Sequence, residues 1–175
     1  MKDLTNIKLL ILDCDGVLTD GKIFYDDNKR ETKAFDAKDG LGIKMLDFTK
    51  IMIAVITGRN STILARRCRD LKIKYLFQGI KNKRKKVSEL LEDLNLEWGN
   101  VAYMGDDWND FSAMQKAYFK AVPKDVMPDL KEKADFISSR KGGYGAVRDL
   151  IEYILKKRNE YDKTVSKLVS YLDSL

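Results

Sequence analysis

The sequence predicts an α/β protein, with a mainly parallel sheet between two layers of helices. Two observations indicate this fold class: short apolar runs recur along the chain, and stretches with helical spacing lie between most of them. Runs that are apolar on both faces are typical of strands in a parallel sheet, because helices cover both sides of such a sheet. The predicted strands span residues 7–12, 51–56, 75–77, 101–104, 119–122 and 135–137.

The helical stretches complete a Rossmann-like three-layer sandwich, in which functional groups collect at the carboxyl ends of the strands. The predicted helices span residues 61–71, 83–94, 109–116 and 146–155. One segment departs from the alternation: residues 22–35 have β-rich arms around the polar residues 26–29, which predicts an inserted β-hairpin. The charged residues 156–175 predict a helical tail after a domain that spans residues 1–155.

Composition limits the class of protein and the chemistry available to it. The chain has 175 residues, 44% of them hydrophobic, which suits one domain with a buried core. The net charge of +6 favours an anionic partner, but no groove of interleaved aromatic and basic residues indicates a nucleic acid. Histidine is absent, which excludes histidine triads and imidazole zinc sites. With no predicted membrane span or signal peptide, and only Cys14 and Cys68, we expect a cytoplasmic protein.

Two aspartates follow the first predicted strand. Because strand side chains alternate between faces, Asp13 and Asp15 point to one side while Cys14 points to the other. Two like charges so close together are unfavourable unless a cation or a proton compensates them. Gly16 and the turn-like residues 19–21 place the pair in a loop that leaves the strand. The pair is therefore either an acidic turn or a metal site.

Polar residues follow three further predicted strands. Thr57 comes after the second strand, Lys83 after the third, and Asp106 with Asp107 after the fourth. In a parallel sheet these ends share one edge, and donors that are all oxygen suit Mg²⁺. Taken singly, Thr57 could cap a helix, and Lys83 could belong to the solvated basic run at 81–86. Together, carboxylates, a metal ion and a lysine at one site are typical of an enzyme that transfers phosphoryl groups.

Four motifs in chain order resemble those of the haloacid dehalogenase-like phosphatases: Asp13-Cys14-Asp15-Gly16-Val17, then Thr57, then Lys83, then Gly105-Asp106-Asp107-x-x-Asp110. The resemblance implies that Asp13 is a nucleophile that forms an aspartyl-phosphate. It implies that Asp15 protonates the leaving oxygen and then takes a proton from the attacking water. Thr57 and Lys83 would hold the oxygens of the phosphoryl group as its charge redistributes.

The resemblance also implies the ligands of a single Mg²⁺ ion. Asp13, the backbone carbonyl of Asp15 and Asp106 would hold the ion. Asp107 and Asp110 would support these ligands from outside. Asp110 could also simply favour the positive end of its helix, because it lies early in a predicted helical stretch.

The size of the gaps between motifs indicates a member without a cap domain. The residues from Asp15 to Thr57 hold only the hairpin and one helix, and those from Thr57 to Lys83 only a helix and a short strand. An open site discriminates poorly between esters, so the hairpin, lent by a neighbouring subunit, is the candidate for a wall. The resemblance implies a homotetramer.

Further matching residues imply a small anionic sugar phosphate as the substrate, namely the 8-phosphate of an eight-carbon 2-keto acid. A nine-carbon sialic-acid-type 9-phosphate is the alternative, and a non-catalytic assembly module of the same fold is a second one. Lys44 stands where the resemblance leads us to expect arginine. The residues that the resemblance assigns to the substrate are Asp15, Asp36, Ala37, Lys38, Asp39, Gly40, Lys44, Arg59, Arg67 and Lys83. Guanidinium groups suit a carboxylate because they can bind both of its oxygens at once.

Overall fold

Eight strands and seven α-helices make up the computed structural model, which describes residues 2–28 and 30–174. Lys29 of the predicted hairpin turn and residues 1 and 175 at the ends of the predicted domain and tail lie outside the described residues. The strands are β1 (Leu9–Leu12), β2 (Phe24–Tyr25), β3 (Glu31–Thr32), β4 (Met52–Ile56), β5 (Tyr75–Phe77), β6 (Val101–Met104), β7 (Phe119–Val122) and β8 (Phe136–Ile137). The helices are α1 (Ala37–Met45), α2 (Thr62–Asp70), α3 (Lys83–Leu94), α4 (Trp108–Met114), α5 (Pro128–Lys131), α6 (Ala146–Lys157) and α7 (Tyr161–Leu172).

Six strands form one sheet in the order β5-β4-β1-β6-β7-β8, and every neighbouring pair is parallel. Strand β1 lies at the centre, where Leu9 pairs with Met52 on one side and with Val101 on the other. The predicted parallel sheet is confirmed. Because β1, β4 and β6 are neighbours, the residues that follow them emerge at one edge.

Helices cover both faces of the sheet, as a three-layer sandwich requires. Leu10 and Leu12 face a core cluster that takes buried residues from α1, α2, α6 and α7. Leu9 and Ile11 face the opposite cluster, which takes buried residues from α3, α4 and α5. This alternation follows from the period of two along a strand, and burial of both faces explains why the strands are continuously apolar.

The inserted hairpin is a separate two-stranded ribbon in which β2 and β3 pair antiparallel. Its turn is held by the Asp26 side chain, which accepts hydrogen bonds from the backbone N–H groups of Asn28 and Arg30 at 3.0 and 2.7 Å. Phe24 and Tyr25 stay largely exposed, at 57% and 64%. The predicted hairpin is confirmed, and the part of the chain that the structure describes contains no cap domain.

The carboxyl-terminal helix α7 lies in the predicted tail and packs against α1 and α6. Its residue Leu168 is buried in the core cluster on that face of the sheet. Across the described ranges, every helix is too short or too polar to cross a lipid bilayer.

Candidate active site

The carboxyl ends of β1, β4 and β6 bring the predicted chemical groups together. Asp13 directly follows β1, and its backbone N–H donates to the carbonyl of Met104 at 3.1 Å. Thr57 directly follows β4, and its backbone N–H donates to the carbonyl of Phe77 at 3.0 Å. These bonds continue the sheet ladder by one residue, so the backbone that carries both side chains is held by the central strands of the sheet.

Three carboxylates form a compact cluster at this edge. Asp13, Asp106 and Asp110 each offer an oxygen, and these oxygens lie within 4.8 Å of one another. The Lys83 ammonium enters the cluster from the first turn of α3 and lies 2.8 Å from Asp13 Oδ1 and 2.7 Å from Asp110 Oδ1. The side chain of Lys83 is only 1% exposed. One cation thus partly compensates three anions.

Asp110 has its oxygens committed to protein groups. Its Oδ1 accepts hydrogen bonds from Lys83 and, at 2.8 Å, from the Tyr103 hydroxyl, while its Oδ2 accepts from the backbone N–H of Asp106 at 3.3 Å. Asp110 therefore holds Lys83 and the Asp106 backbone in place, which suits the outer supporting role that was predicted for it. Tyr103 could not be identified from the sequence, because a tyrosine inside an apolar strand gives no sign that its hydroxyl meets a carboxylate.

Burial and crowding raise the pKa values of two of these acids. Burial, followed by the charge of Asp110, raises the pKa of Asp13 to about 7. Burial, followed by the charges of Asp13 and Asp110, raises the pKa of Asp106 to about 8. For Lys83, burial favours the neutral amine, but the charges of Asp110 and Asp13 outweigh it and hold the pKa above its usual value. The cluster carries excess negative charge that a cation would relieve.

The loop after Asp15 approaches the acids so closely that only glycine fits. Gly16 has a φ of +87°, and a Cβ built on it would lie 1.9 Å from Asp106 Oδ2. The glycine-rich segment near residue 142 packs on the same loop, since a Cβ on Gly142 would lie 1.8 Å from the carbonyl oxygen of Gly16. Glycines at these positions therefore let two backbone segments close over the cluster.

Asp15 belongs to a second network of alternating charges. Lys33 forms an ion pair with Asp15 Oδ1, and its ammonium lies 3.6 Å from Glu31 Oε1. Arg59 Nε lies 3.6 Å from Asp15 Oδ2, and Arg59 Nη2 lies 3.3 Å from Glu31 Oε1. Arg59 also donates to the Tyr25 hydroxyl. The hairpin is thus bonded to the active-site edge of its own chain.

Lys33 and Glu31 were not predicted as site residues, although the sequence contains a signal for them. They lie two residues apart in an extended arm of the hairpin, so their side chains fall on the same side. Nothing in the sequence showed that this side faces Asp15.

A cavity of about 240 Å³ opens beside the acids. The residues that line it come from the ends of β1, β4 and β6, from the loop after Asp15, and from the start of α4: Asp13, Asp15, Gly21, Ile23, Thr57, Gly58, Arg59, Asp106, Asp107 and Asn109. Lys83 lies beneath this surface. Asp107 is exposed and caps α4 by accepting a hydrogen bond from the Trp108 N–H at 2.7 Å.

Residues 36–40, which the resemblance assigns to the substrate, lie outside the lining of this cavity. Asp36 caps α1 by accepting from the Lys38 N–H at 2.6 Å, and Ala37, Lys38 and Gly40 lie in the first turns of that helix. Asp39 is buried and accepts from the backbone N–H groups of Gly145 and Arg148 at 3.3 and 2.8 Å. Asp39 therefore holds the start of α6, because a helix amino terminus needs acceptors for its free N–H groups.

Two basic residues that were predicted to bind the substrate also contact other groups of the protein. Arg67 donates to the carbonyl of Asp36 at 3.1 Å, and its guanidinium lies 5.7 Å from the Phe35 ring centroid. Lys44 pairs with Asp47 at 2.6 Å. In a single chain, therefore, Arg59 lines the cavity, while Arg67 fastens the segment before α1.

Comparison with known proteins gives one consistent family. A family model described as haloacid dehalogenase-like hydrolase matches residues 73–151. The chain is 41% identical over 163 residues to the 3-deoxy-D-manno-octulosonate 8-phosphate phosphatase KdsC of Escherichia coli (strain B / BL21-DE3), covering 93% of this chain and 87% of that protein.

Solved structures agree with this result. The 3-deoxy-D-manno-octulosonate 8-phosphate phosphatase of Moraxella catarrhalis, in complex with magnesium ion, phosphate ion and a KDO molecule, superposes with a TM-score of 0.91 at 37% identity, covering 95% of both chains. The cobalt-bound deoxy-D-mannose-octulosonate 8-phosphate phosphatase of Haemophilus influenzae gives a TM-score of 0.87 at 39% identity, covering 91% of this chain and 94% of that one.

Proposed function

The chain belongs to the haloacid dehalogenase-like hydrolases and is a phosphoric monoester hydrolase, and we propose that it hydrolyses 3-deoxy-D-manno-octulosonate 8-phosphate to the free sugar acid and phosphate. The observation that carries this proposal is the convergence of Asp13, Asp15, Thr57 and Asp106 on one cavity, with Lys83 beneath them. The high identity to phosphatases named for this substrate supports the choice of ester.

The donor set fits Mg²⁺. Carboxylate oxygens are the ligands that this ion prefers, and the raised pKa values of Asp13 and Asp106 express a charge excess that a cation removes. Because Asp110 is committed to Lys83 and Tyr103, Asp13 and Asp106 would hold the ion together with the backbone carbonyl of Asp15. The ion would supply charge neutralisation for the phosphoryl group when bound.

Asp13 is the nucleophile in the proposed reaction. A carboxylate oxygen of Asp13 attacks phosphorus, and the bond from phosphorus to the sugar oxygen breaks with its electron pair going to that oxygen. Asp15 gives its proton to this leaving oxygen and then takes a proton from the water that attacks the aspartyl-phosphate. Asp13 and Asp15 line the same cavity, as this division of roles requires.

Thr57 and Lys83 favour the developing charge in different ways. The Thr57 hydroxyl lines the cavity and would donate to a phosphoryl oxygen. Lys83 lies 2.8 Å from the nucleophilic carboxylate, so it favours the ionised form of Asp13 and adds positive potential beneath the phosphoryl group. Asp107 and Asp110 act from outside the metal ligands.

Substrate recognition by one chain involves Arg59, which lines the cavity and would bind the anionic sugar. The other predicted substrate residues (Asp36, Ala37, Lys38, Asp39, Gly40, Lys44 and Arg67) would reach a sugar only in an assembly, where the edge of one subunit faces the site of another. We therefore include a homotetramer in the proposal, acting in the cytoplasm in the synthesis of lipopolysaccharide precursors.

The test is phosphate release from a panel of sugar-acid phosphates, measured with Mg²⁺ and with a chelator in its place. We expect the eight-carbon 8-phosphate to give the highest kcat/KM, and the chelator to abolish release. Faster hydrolysis of a nine-carbon sialic-acid-type 9-phosphate would replace the proposed substrate with that alternative. A folded protein that releases no phosphate from any ester would indicate a non-catalytic assembly module.

A further inference from the structure

Lys33 occupies a position that the reaction just described does not explain. It lies between β3 and α1, in the arm of the hairpin that returns to the core. Its side chain is only 1% exposed, and its ammonium pairs with Asp15 Oδ1. Lys33 is not among the residues that line the cavity. Burying an ammonium costs free energy unless an anion pairs with it, and Asp15 is that anion here. The reaction described above gives this buried pair no role.

The two oxygens of Asp15 have different surroundings. Oδ1 is in contact with the Lys33 ammonium and with the Cys14 thiol, whose sulfur lies 3.8 Å away. Oδ2 has Arg59 Nε at 3.6 Å, and Arg59 lines the cavity that Asp15 also lines. Two donors therefore contact Oδ1, whereas Oδ2 lies nearest to the guanidinium of a residue that lines the cavity.

We propose that Lys33 is a positioning residue that fixes Oδ1 of Asp15 and so reserves Oδ2 for proton transfer to the leaving oxygen. This inference rests on the proposed role of Asp15 as the acid and base. Because Oδ1 is in contact with the Lys33 ammonium, Oδ2 is the oxygen that this contact leaves for exchanging a proton with the leaving oxygen. That proton passes to the ester oxygen as the bond to phosphorus breaks, and the electron pair of that bond becomes the new O–H bond.

The geometry also fixes the direction of transfer. An unrestrained carboxyl group rotates about its last side-chain torsion, which has broad minima. A contact at Oδ1 from a buried residue on a different segment removes that freedom before the substrate binds. Holding a catalytic group in its reactive orientation lowers the barrier without any contact to the substrate itself.

A purely structural role for Lys33 would be to tie the hairpin to the core. Glu31 and Arg59 already connect the hairpin to the same edge, at 3.3 Å between Arg59 Nη2 and Glu31 Oε1. The two roles differ in what they predict for different substrates. A loosened hairpin affects all esters alike, whereas a misplaced acid affects only those esters whose leaving oxygen needs a proton.

The experiment measures kcat/KM for Lys33→Met and Lys33→Gln on two classes of substrate with Mg²⁺ present. The first is an alkyl ester, namely the eight-carbon sugar-acid phosphate or whichever alkyl phosphate the wild type hydrolyses. The second is 2,4-dinitrophenyl phosphate, whose leaving group departs without a proton. The ratio kcat/KM reports the first displacement, so the later water attack does not confuse the comparison. Lys22→Met, an exposed lysine of the same hairpin that is 71% exposed, is the matched control.

We expect both Lys33 variants to lose roughly tenfold or more on the alkyl ester, within the range of general acid catalysis, and to change less than about twofold on the aryl ester. The control should match the wild type on both. Equal losses on the two esters would overturn the proposal and leave a structural role, and so would undiminished rates on the alkyl ester. If Lys33→Met does not fold, the kcat/KM values of Lys33→Gln on the alkyl and aryl esters decide between the two roles. A wrong natural substrate would show in the wild type, whereas a wrong role for Lys33 would show only in the variants.

Discussion

The Lys83 ammonium lies 2.8 Å from Asp13 Oδ1, and both side chains are almost completely buried. Asp13 ends the central strand, while Lys83 begins a helix that packs on one face of the sheet. The pair therefore depends on the whole sandwich being assembled. This contact favours the ionised nucleophile, whereas burial and the charge of Asp110 favour its neutral form and raise the pKa of Asp13 to about 7.

Asp110 should matter for stability as well as for catalysis. Asp110→Asn removes a buried negative charge that accepts from Lys83 and Tyr103, so we expect a loss of about 2 kcal/mol in the free energy of unfolding. We also expect Asp110→Asn to lower turnover. Asp107→Asn is the matched control, because asparagine caps a helix as well as aspartate does. Denaturant unfolding of both variants provides the measurement, and equal stabilities would contradict the role assigned to Asp110.

Magnesium should stabilise the protein more at high pH than at low pH. The folded-state pKa values of Asp13 (about 7) and Asp106 (about 8) lie above the ordinary value of 3.8. The metal-free folded protein therefore binds more protons than the unfolded chain between about pH 4 and 8, and its stability falls as the pH rises through that window. Mg²⁺ competes with those protons for the two carboxylates, so the stabilisation that the ion provides grows as the pH rises.

Thermal unfolding with and without Mg²⁺ checks this linkage at about pH 6 and about pH 8. We expect the larger rise in the unfolding midpoint at the higher pH. Asp106→Asn should remove most of the rise at both pH values, because it removes a ligand. A midpoint shift that is the same at both pH values in the wild type would show that the ion binds elsewhere.

Arg59 should affect the sugar-acid substrate selectively. Arg59 lines the cavity, so Arg59→Ala should raise KM for the eight-carbon 2-keto acid phosphate and leave KM for a small aryl phosphate nearly unchanged. Arg66→Ala, an exposed arginine of α2, is the control. If Arg59→Ala changes KM equally for both esters, Arg59 attracts phosphate in general and does not select the sugar.

Arg67 tests whether a second subunit completes the site. Within one chain Arg67 donates to the Asp36 carbonyl at 3.1 Å and lies over the Phe35 ring. A monomer should therefore lose some stability in Arg67→Ala but no affinity for the sugar. In the proposed tetramer, Arg67→Ala should also raise KM for the sugar acid. Kinetics on both substrates, with the oligomeric state recorded by light scattering, distinguish these outcomes.

The hairpin should be needed for assembly. Phe24 and Tyr25 expose apolar surface on a two-stranded ribbon that cannot bury it alone. We expect Phe24→Ser to shift the protein to smaller species in light scattering and to lower turnover. Val169→Ser, on an exposed residue of α7, should leave the mass unchanged. A wild-type monomer with full activity at micromolar concentration would refute the assembly.

The sheet, and the edge of it where the candidate catalytic residues lie, could be predicted because the sequence patterns that indicate them are local. Apolar runs mark the buried strands, and polar residues within two positions after Leu12, Ile56 and Met104 mark the edge where the strands end. Once parallel pairing is assumed, the meeting of Asp13, Thr57 and Asp106 follows from topology alone.

The partners of these residues could not be predicted, because they depend on distances between segments far apart in the chain. Nothing near Lys33 in the sequence indicates that it pairs with Asp15. Asp39 lies within a segment that resembles a substrate loop, yet its oxygens are used by the backbone N–H groups at the start of α6. Burial of a charged side chain is decided by the fold as a whole, and no short pattern encodes it.

The most direct test of the central claim is to look for phosphate on Asp13. Asp15→Asn should still be phosphorylated by 2,4-dinitrophenyl phosphate, since that leaving group needs no acid, but it should hydrolyse the aspartyl-phosphate slowly because the base is lost. After an acid quench, mass spectrometry should find a phosphoryl group on the peptide that contains Asp13, and none on that peptide in an Asp13→Asn, Asp15→Asn double variant. A phosphoryl group on another peptide, or full turnover by Asp13→Asn, would contradict the account.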